Sequence, residues 1–249
     1  MGSVTATQMA EQGAEAVILT DIDEDRCAAA AHRVETAGAR ALVRACDLRV
    51  ASEVESLMSI VRKEFGRLDV LHNNAGVLDT QFTDQTRVDN IPEEVWDRVF
   101  DVNVKAVWLC TKYAAALLRA SGRGAIVNAA SVSGLVAFPT EPAYCASKAA
   151  VIQLTRNTAL DLAPDGTRCN CYCPQSTDTP MLNPYWKSGE DRTSLEFELV
   201  RSHLVPRLGH SEDIARLVCF LASDDAAFIN GASITIDGGS LAWRGLRDV

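Results

Sequence analysis

Short apolar runs alternate with longer helical patterns along most of this chain, and that alternation restricts its fold more than any other feature. Six runs have the length and composition of β-strands: Ala16 to Thr20, Ala41 to Cys46, Leu68 to His72, Ala125 to Asn128, Arg168 to Cys173 and Ser233 to Ile236. Apolar residues have helical spacing in Arg26 to Ala37, Ser52 to Phe65, Glu93 to Arg119, Ala143 to Leu162 and Ser211 to Ala222. The alternation predicts an α/β fold in which helices cover a parallel β-sheet.

Three segments depart from this regular pattern. The helix from Glu93 to Arg119 is expected to bend or break near Asn103. Leu78 to Ile91 and Ser176 to Glu190 lack a period, and the second contains two prolines. Doubly wound folds bind ligands at the carboxyl edge of the sheet. Both irregular segments are therefore predicted to be loops over a site there, with ordinary surface loops as the alternative.

Composition limits the class of partner. The chain has 249 residues, of which 47% are hydrophobic, so residues 1–249 are expected to form a single domain with a large core. A net charge of −9 disfavours nucleic acid and anionic membranes, because both are polyanions. A small-molecule partner is predicted. The sequence contains no signal-peptide pattern and no apolar run long enough to span a membrane, which predicts a cytoplasmic protein.

Eight cysteines lie scattered along the chain, a pattern typical of reduced, buried thiols. Cys169, Cys171 and Cys173 alternate within a predicted strand. Alternate strand residues lie about 6.7 Å apart, too far for neighbouring ligands of one zinc ion. We therefore predict no metal site.

The segment Tyr144-Cys145-Ala146-Ser147-Lys148, with Ser131 thirteen positions before the tyrosine, carries groups for proton transfer at an alcohol oxygen. On a helix, Tyr144 and Lys148 share one face. A lysine charge about 4 Å away is expected to lower the phenol pKa by roughly two to three units. The same spacing also arises by chance, so its context decides its meaning.

Polar residues follow three of the predicted strands. Asp21 ends the first strand, where a carboxylate can accept the ribose hydroxyls of NAD and repel the 2′-phosphate of NADP. Asp47 follows the second predicted strand in the same way, where its side chain could contact the edge of the adenine ring. In His72-Asn73-Asn74-Ala75-Gly76, small residues would let the backbone approach a dinucleotide. Solvated acids and a turn without a ligand are the alternatives.

Taken in order, these motifs resemble the short-chain dehydrogenase/reductase family over nearly the whole chain. The matching residues are Asp21, Asp47-Leu48, Asn73 to Gly76, Asn103, Ser131, Tyr144-x-x-x-Lys148, Pro174 to Met181 and Asp237-Gly238-Gly239. The resemblance implies a Rossmann-like doubly wound sheet, NAD as cofactor, and a homotetramer or dimer. It also implies that Tyr144 is the acid/base, with Lys148 lowering its pKa, Ser131 orienting the substrate oxygen and Asn103 anchoring a water in a proton relay.

The resemblance also implies a set of cofactor-binding residues. These are Gly2, Asp21, Asp47, Leu48, Asn74, Ala75, Gly76, Tyr144, Lys148, Pro174, Thr177 and Thr179.

The chain departs from the family pattern in two places. The family's first strand and most of its glycine-rich phosphate loop are missing from this chain, and only Gly2 matches the end of that loop. The strand would lie between the Val17 and Leu68 strands, so either the natural protein is longer or the fold is rearranged there. Gln175 stands where the family usually has glycine, near the nicotinamide pocket.

The sequence thus predicts an NAD-dependent enzyme that transfers hydride to or from a secondary alcohol or ketone. A 3-oxoacyl thioester reductase is the alternative within enzymes, although its usual preference for NADPH is opposed by Asp21. The incomplete phosphate loop suggests a third possibility, a redox-inactive binding or scaffold subunit. Trp186 and Trp243 suggest a cyclic or hydrophobic substrate.

Overall fold

The computed structural model describes residues 1–185, 196–197, 199–243 and 245 of the chain. Its strands are β1 (Ala16–Asp21), β2 (Arg40–Ala45), β3 (Val70–Asn73), β4 (Ala125–Ala129), β5 (Arg168–Pro174) and β6 (Ser233–Ile236). Every strand pairing in the described chain is parallel. Each predicted strand is confirmed, with its ends shifted by at most two residues.

One helix precedes β1, and the others connect successive strands. They are α1 (Gly2–Glu11), α2 (Glu24–Thr36), α3 (Ala51–Phe65), α4 (Glu93–Phe100), α5 (Ala106–Ser121), α6 (Pro142–Leu162) and α7 (Ser211–Ala222). Local sequence sets several of their ends. The Asp23 carboxylate caps α2 by accepting the N–H groups of Asp25 and Arg26. Gly66 and Gly122 end α3 and α5 in the left-handed conformation, which glycine adopts without steric cost. Among the described residues, no helix is long and apolar enough to cross a membrane.

The long helix predicted from Glu93 to Arg119 is interrupted at Asn103, as expected. A π-helical segment, Asp101–Lys105, separates α4 from α5. Asn103 lies within it and is fully buried. Single π-turns of this kind commonly occur at functional sites, and here the turn places a polar side chain inside the fold.

The sheet is divided into two parts. β1 pairs with β2, and the order β3-β4-β5-β6 forms a separate four-stranded part. All residues of β4 are buried, whereas Leu19 is the one buried residue in β1 and Asn73 the one in β3. Strands inside a parallel sheet are normally covered on both faces. The burial of β4 is typical of such a strand, whereas the partial burial of β1 and β3 is typical of strands at a sheet edge. The division lies where the sequence analysis placed a missing strand.

Helix α1 packs against both parts of the sheet. Its Ala6 and Ala10 belong to a buried cluster with Leu19 of β1. Met1 and Met9 pack against a second cluster that contains Val127 of β4 and Tyr172 of β5. Side-chain packing through α1 therefore joins two parts that share no backbone ladder in the described chain.

The predicted loops are partly described. Leu78 to Ile91 contains a short 3₁₀ helix, Asp79–Gln81, and is otherwise irregular. A second 3₁₀ helix, Pro180–Tyr185, lies in the other predicted loop, of which residues 186–190, including Trp186, lie outside the described residues. In the carboxyl-terminal tail, Trp243 is 39% exposed.

The divided sheet predicts uneven protection from amide hydrogen exchange. We expect peptides from β4 and β5 to exchange only through global unfolding, and those from β1 and β2 to exchange about ten-fold faster or more, because the β1–β2 pair can open separately. Exchange measured by mass spectrometry tests this. Equal protection of β1 and β4 would contradict the account.

Candidate active site

Ser131, Tyr144 and Lys148 come together beside the carboxyl end of β4. Ser131 lies two residues beyond that strand, near enough to the phenol of Tyr144 to lower its pKa, and its hydroxyl donates to the Pro174 carbonyl at 3.5 Å. The Ser131 Oγ also accepts the N–H of Ser133 at 3.1 Å. Tyr144 and Lys148 lie one turn apart on α6, with the lysine Nζ 5.4 Å from the centre of the phenol ring. Three of the four predicted catalytic residues are therefore neighbours.

Tyr144 lies in a low-dielectric environment. Its side chain is largely buried, with 8% exposure. Burial raises the pKa of Tyr144 well above its ordinary value, the nearby Ser131 hydroxyl lowers it, and the nearby charge of Glu141 raises it. This direction is opposite to the expected lowering by Lys148, because burial of the phenol is the largest influence on its pKa.

Lys148 is itself buried, with 3% exposure. Its Nζ donates to the carbonyl of Ala129 at 2.8 Å. Burial lowers the pKa of Lys148 to about 8. An ammonium group has three N–H donors. Among the described residues, the Ala129 carbonyl is the one acceptor that hydrogen bonds to the Lys148 ammonium. Two donors are thus available to a ligand.

Asn103 links the segment after β3 to α6. Its Oδ1 accepts the N–H of Val77 at 2.9 Å, and its Nδ2 donates to the Val77 carbonyl at 3.0 Å. The same Nδ2 donates to the Ser147 Oγ at 3.0 Å, and that hydroxyl donates to the Tyr144 carbonyl at 2.7 Å. Asn103 therefore fixes the backbone around Tyr144, while its role in a proton relay stays a prediction.

The predicted cofactor residues lie mainly at the carboxyl ends of the strands. Asp21 ends β1, Asp47 and Leu48 follow β2, Asn74, Ala75 and Gly76 follow β3, and Pro174 ends β5. In a parallel sheet these ends share one edge. Gly2 joins them, since a Cβ atom added to it would lie 2.7 Å from the Asn74 Nδ2.

Several of these residues also have partners within the chain. Asp47 forms an ion pair with Arg49 at 2.6 Å, which lowers the pKa of the Asp47 carboxyl. One Asp21 oxygen accepts the N–H of Asp23 at 3.0 Å. The buried Thr177 hydroxyl donates to the Gln175 carbonyl at 2.8 Å, so it is satisfied within its own turn.

Leu48 and Thr179 have less specific surroundings. Leu48 is partly buried and packs against the core that contains Leu57 and Leu109. Thr179 is half-buried, and its carbonyl accepts the N–H of Leu182. Gln175 lines a cavity of about 340 Å³ between the ends of β5 and β6 and the start of α7.

The residues at this edge fit a dinucleotide. The Asn74 Oδ1 is buried without a hydrogen-bond partner among the described residues. Gly76 leaves room for close approach, because an added Cβ would lie 3.4 Å from both the Asn103 Oδ1 and the Lys148 Nζ. A cofactor amide or ribose hydroxyl could pair with the unsatisfied groups of Asn74 and Lys148.

Sequence reasoning missed two residues that contact this site. Ser147 lies inside the Tyr144 to Lys148 motif. Its hydrogen bond with Asn103 could not be predicted from the sequence, because it depends on where the π-helical segment lies in the folded chain. Asp79 accepts the N–H groups of Ala143 and Tyr144 although it lies 65 positions before the tyrosine. No local spacing in the sequence indicates that contact.

The cysteines of β5 are buried, and the Cys171 thiol donates to the Ser233 hydroxyl at 3.3 Å. Across the described ranges, no group of three or more histidine, cysteine, aspartate or glutamate side chains could hold a metal ion.

Comparisons with known proteins show which family this chain belongs to. A family model described as enoyl-(acyl carrier protein) reductase matches residues 1–240. Meso-2,3-butanediol dehydrogenase of Serratia marcescens is 37% identical over 247 residues, covering 98% of this chain and 92% of that protein.

Solved structures share the fold. Levodione reductase matches with a TM-score of 0.90 and 30% identity, covering 97% of this chain and 94% of the other. NAD⁺-bound xylitol dehydrogenase matches with a TM-score of 0.86 and 29% identity, covering 96% and 94%. These matches confirm the predicted doubly wound fold. Because sequence and structure agree over nearly its whole length, this chain belongs to the short-chain dehydrogenase/reductase family.

Proposed function

We propose that this chain transfers hydride between NAD(H) and a secondary alcohol or ketone, with Tyr144 as the acid/base. The observation that carries this proposal is the buried group of Ser131, Tyr144 and Lys148 at the sheet edge that also holds Asn74 and Gly76. The butanediol dehydrogenase relative and the NAD⁺-bound xylitol dehydrogenase support the predicted activity and cofactor.

Proton transfer is the part of the reaction that the chain's own side chains perform. In oxidation, the Tyr144 phenolate takes the proton of the substrate hydroxyl while Ser131 donates a hydrogen bond to the same oxygen. Bound NAD⁺ supplies the acceptor for the hydride that leaves the carbinol carbon, so the alcohol becomes a ketone. In reduction, Tyr144 as a neutral phenol returns the proton to the substrate oxygen.

Lys148 supplies the charge that this chemistry requires. Burial holds Tyr144 as a neutral phenol, so a phenolate must be stabilised by a nearby cation. The Lys148 ammonium lies one helical turn away, on the same side of α6 as the phenol. Its remaining N–H donors would hold the nicotinamide ribose.

Asp21 is proposed to set the choice of cofactor. It stands at the end of β1, where its carboxylate can accept two ribose hydroxyls. A 2′-phosphate at that position would face the negative charge of Asp21. NAD(H) is therefore the expected cofactor rather than NADP(H).

Substrate class, assembly and location are also proposals. A mainly apolar cavity of about 320 Å³ lies beside the first turn of α6, and although its lining includes Pro142 and Cys145 rather than Tyr144 itself, its apolar character supports a hydrophobic alcohol. Trp108 of α5 and Leu160 of α6 are 46% and 73% exposed, which supports a homotetramer or dimer that covers these surfaces. The net charge of −9 and the free cysteines support a cytoplasmic enzyme that binds neither nucleic acid nor membranes.

A 3-oxoacyl thioester reductase is the second candidate function. It is favoured by the match to a model described as enoyl-(acyl carrier protein) reductase. A strong preference for NADPH together with turnover of acyl thioesters would favour it over an alcohol dehydrogenase. Cofactor binding without turnover would favour the redox-inactive alternative.

Removal of the Tyr144 hydroxyl tests the acid/base role. We expect Tyr144→Phe to lower kcat by about 10²- to 10⁴-fold while the Kd for NADH changes little, because the proton acceptor is lost and the packing is kept. Absorbance at 340 nm with a panel of secondary alcohols, together with NADH fluorescence titration, measures both. Tyr113→Phe on α5 is the matched control. Turnover retained by Tyr144→Phe would refute the assignment.

Neutralisation of Asp21 tests the cofactor assignment. Asp21→Asn is expected to reduce the preference for NAD⁺ over NADP⁺ by about 10- to 100-fold in kcat/KM, since repulsion of the 2′-phosphate is removed. Asp25→Asn, an exposed acid in the first turn of α2, should leave the preference unchanged. A wild-type preference for NADP⁺ would show that Asp21 has been misassigned.

The buried charge of Lys148 is predicted to reduce stability. Its folded pKa of about 8 lies below the ordinary 10.5, so the folded state disfavours the proton that the unfolded state keeps. Lys148→Met should therefore raise the free energy of unfolding at pH 7 by ~1–3 kcal/mol in the absence of nucleotide.

This gain should shrink as the pH rises from 8 to 10.5, because the folded lysine is then already neutral and the unfolded lysine progressively loses its proton as well. Urea denaturation at pH 7 and pH 9.5 measures the difference. Lys63→Met, at an exposed position of α3, provides the control. A large destabilisation by Lys148→Met at pH 7 would contradict the predicted cost.

A further inference from the structure

The amino end of α6 is capped by a side chain from a distant part of the sequence. α6 begins at Pro142, and the residue before it, Glu141, makes no capping hydrogen bond with its side chain. The Asp79 carboxylate supplies the acceptors. Its Oδ2 accepts the N–H of Ala143 at 3.0 Å, and its Oδ1 accepts the N–H of Tyr144 at 2.9 Å. Amides at these positions are the ones that an N-cap side chain normally satisfies.

Asp79 is fully buried, with 0% of its surface exposed. Burial raises the pKa of its carboxyl, and the N–H donors of Ala143 and Tyr144 lower it. A buried carboxylate is costly unless N–H donors compensate it. The two amides and the positive end of the α6 dipole provide that compensation.

The segment that contains Asp79 also contacts the other groups of the site. Gly76 approaches the Asn103 Oδ1 and the Lys148 Nζ, each 3.4 Å from an added Cβ. The backbone of Val77 exchanges two hydrogen bonds with Asn103. Two residues later, Asp79 binds the backbone of Tyr144 itself. Four consecutive positions thus connect the proposed cofactor edge to the proton-transfer helix.

We propose that Asp79 is a positioning residue for Tyr144, whose carboxylate fixes the first turn of α6 and so holds the phenol in line with Ser131. The inference rests on the proposed function, in which Tyr144 is the acid/base. Asp79 acts through the backbone and through its charge, and it does not touch the substrate. Misplacement of a catalytic group by about 1 Å can lower the rate about 100-fold, so a rigid cap at this point has a direct effect on turnover.

The charge of Asp79 provides a signature that a purely structural role would lack. Its negative charge disfavours the Tyr144 phenolate. Among the described residues, the other titratable groups around the phenol are Glu141 just before α6, Cys145 and Lys148 on α6, and Tyr172 on β5. Substitution of Asp79 by asparagine removes one negative charge from this set and leaves the others in place.

The test is the pH dependence of alcohol oxidation by Asp79→Asn. Asparagine offers one acceptor oxygen and one donor group in place of two acceptors, so one of the two cap bonds is lost. We expect the maximal kcat to fall by about ten-fold or more with a smaller change in the Kd for NADH. The acid limb of kcat should move to lower pH by about half a unit or more, because the phenolate forms more easily.

An NMR measurement on the cofactor-free protein detects the hydrogen bond between Asp79 and the Tyr144 amide independently of enzyme activity. Selective ¹⁵N-tyrosine labelling gives signals from only four residues, and Tyr144→Phe identifies the Tyr144 amide. In the wild type, this amide proton should shift downfield and follow the titration of the Asp79 carboxyl. In Asp79→Asn, the signal should move upfield and lose that titration.

Asp84→Asn, an exposed acid in the same loop, is the matched control and should change neither measurement. Asp79→Ser, a neutral N-cap residue, repeats the test if asparagine prevents folding. An unchanged kcat and pH midpoint, an unaffected Tyr144 amide, or a failure of both variants to fold would overturn the proposal. No turnover by the wild type would overturn the proposed function instead, and the NMR result would still decide the cap.

Discussion

Register between β3 and β4 is the constraint on which the site depends. Asn73 lies opposite Asn128 in the parallel ladder, and the Asn73 Nδ2 donates to the Asn128 Oδ1 at 2.8 Å inside the core. The Asn128 Nδ2 donates in turn to the Thr155 Oγ1 of α6 at 3.0 Å. A slip of one residue would break this buried network and reverse the faces of the strand. The network therefore fixes α6, and with it Tyr144, relative to the turn after β3.

Burial governs the electrostatics of the site. Tyr144, Lys148 and Asp79 all lie inside the fold, and burial opposes the charged form of each. Such an arrangement costs folding free energy, yet it strengthens the interaction between any charge and its neighbours. Groups of this kind are typical of functional sites, where stability is reduced in exchange for reactivity.

Most of the fold follows from the sequence because it depends on local patterns. The six strands, the helices between them and the break at Asn103 were all predicted from apolar spacing and polar interruptions. The proximity of Tyr144 to Lys148 was predicted because residues one helical turn apart lie on the same face of a helix.

Features that depend on tertiary contacts could not be predicted. The cap by Asp79 joins residues far apart in the sequence, and the direction of the Tyr144 pKa depends on how completely the fold covers the phenol. The packing of α1 against both parts of the sheet likewise required the folded positions of Met9 and Ala10.

Transfer of deuterium from a labelled substrate tests the central claim most directly. The protein would be incubated with NAD⁺ and a secondary alcohol deuterated at its carbinol carbon, and the reduced nicotinamide would be analysed by mass spectrometry. Direct hydride transfer predicts one deuterium in each molecule of product nicotinamide and a ketone as the other product. Reduced nicotinamide without deuterium, or no reduction at all, would contradict the account.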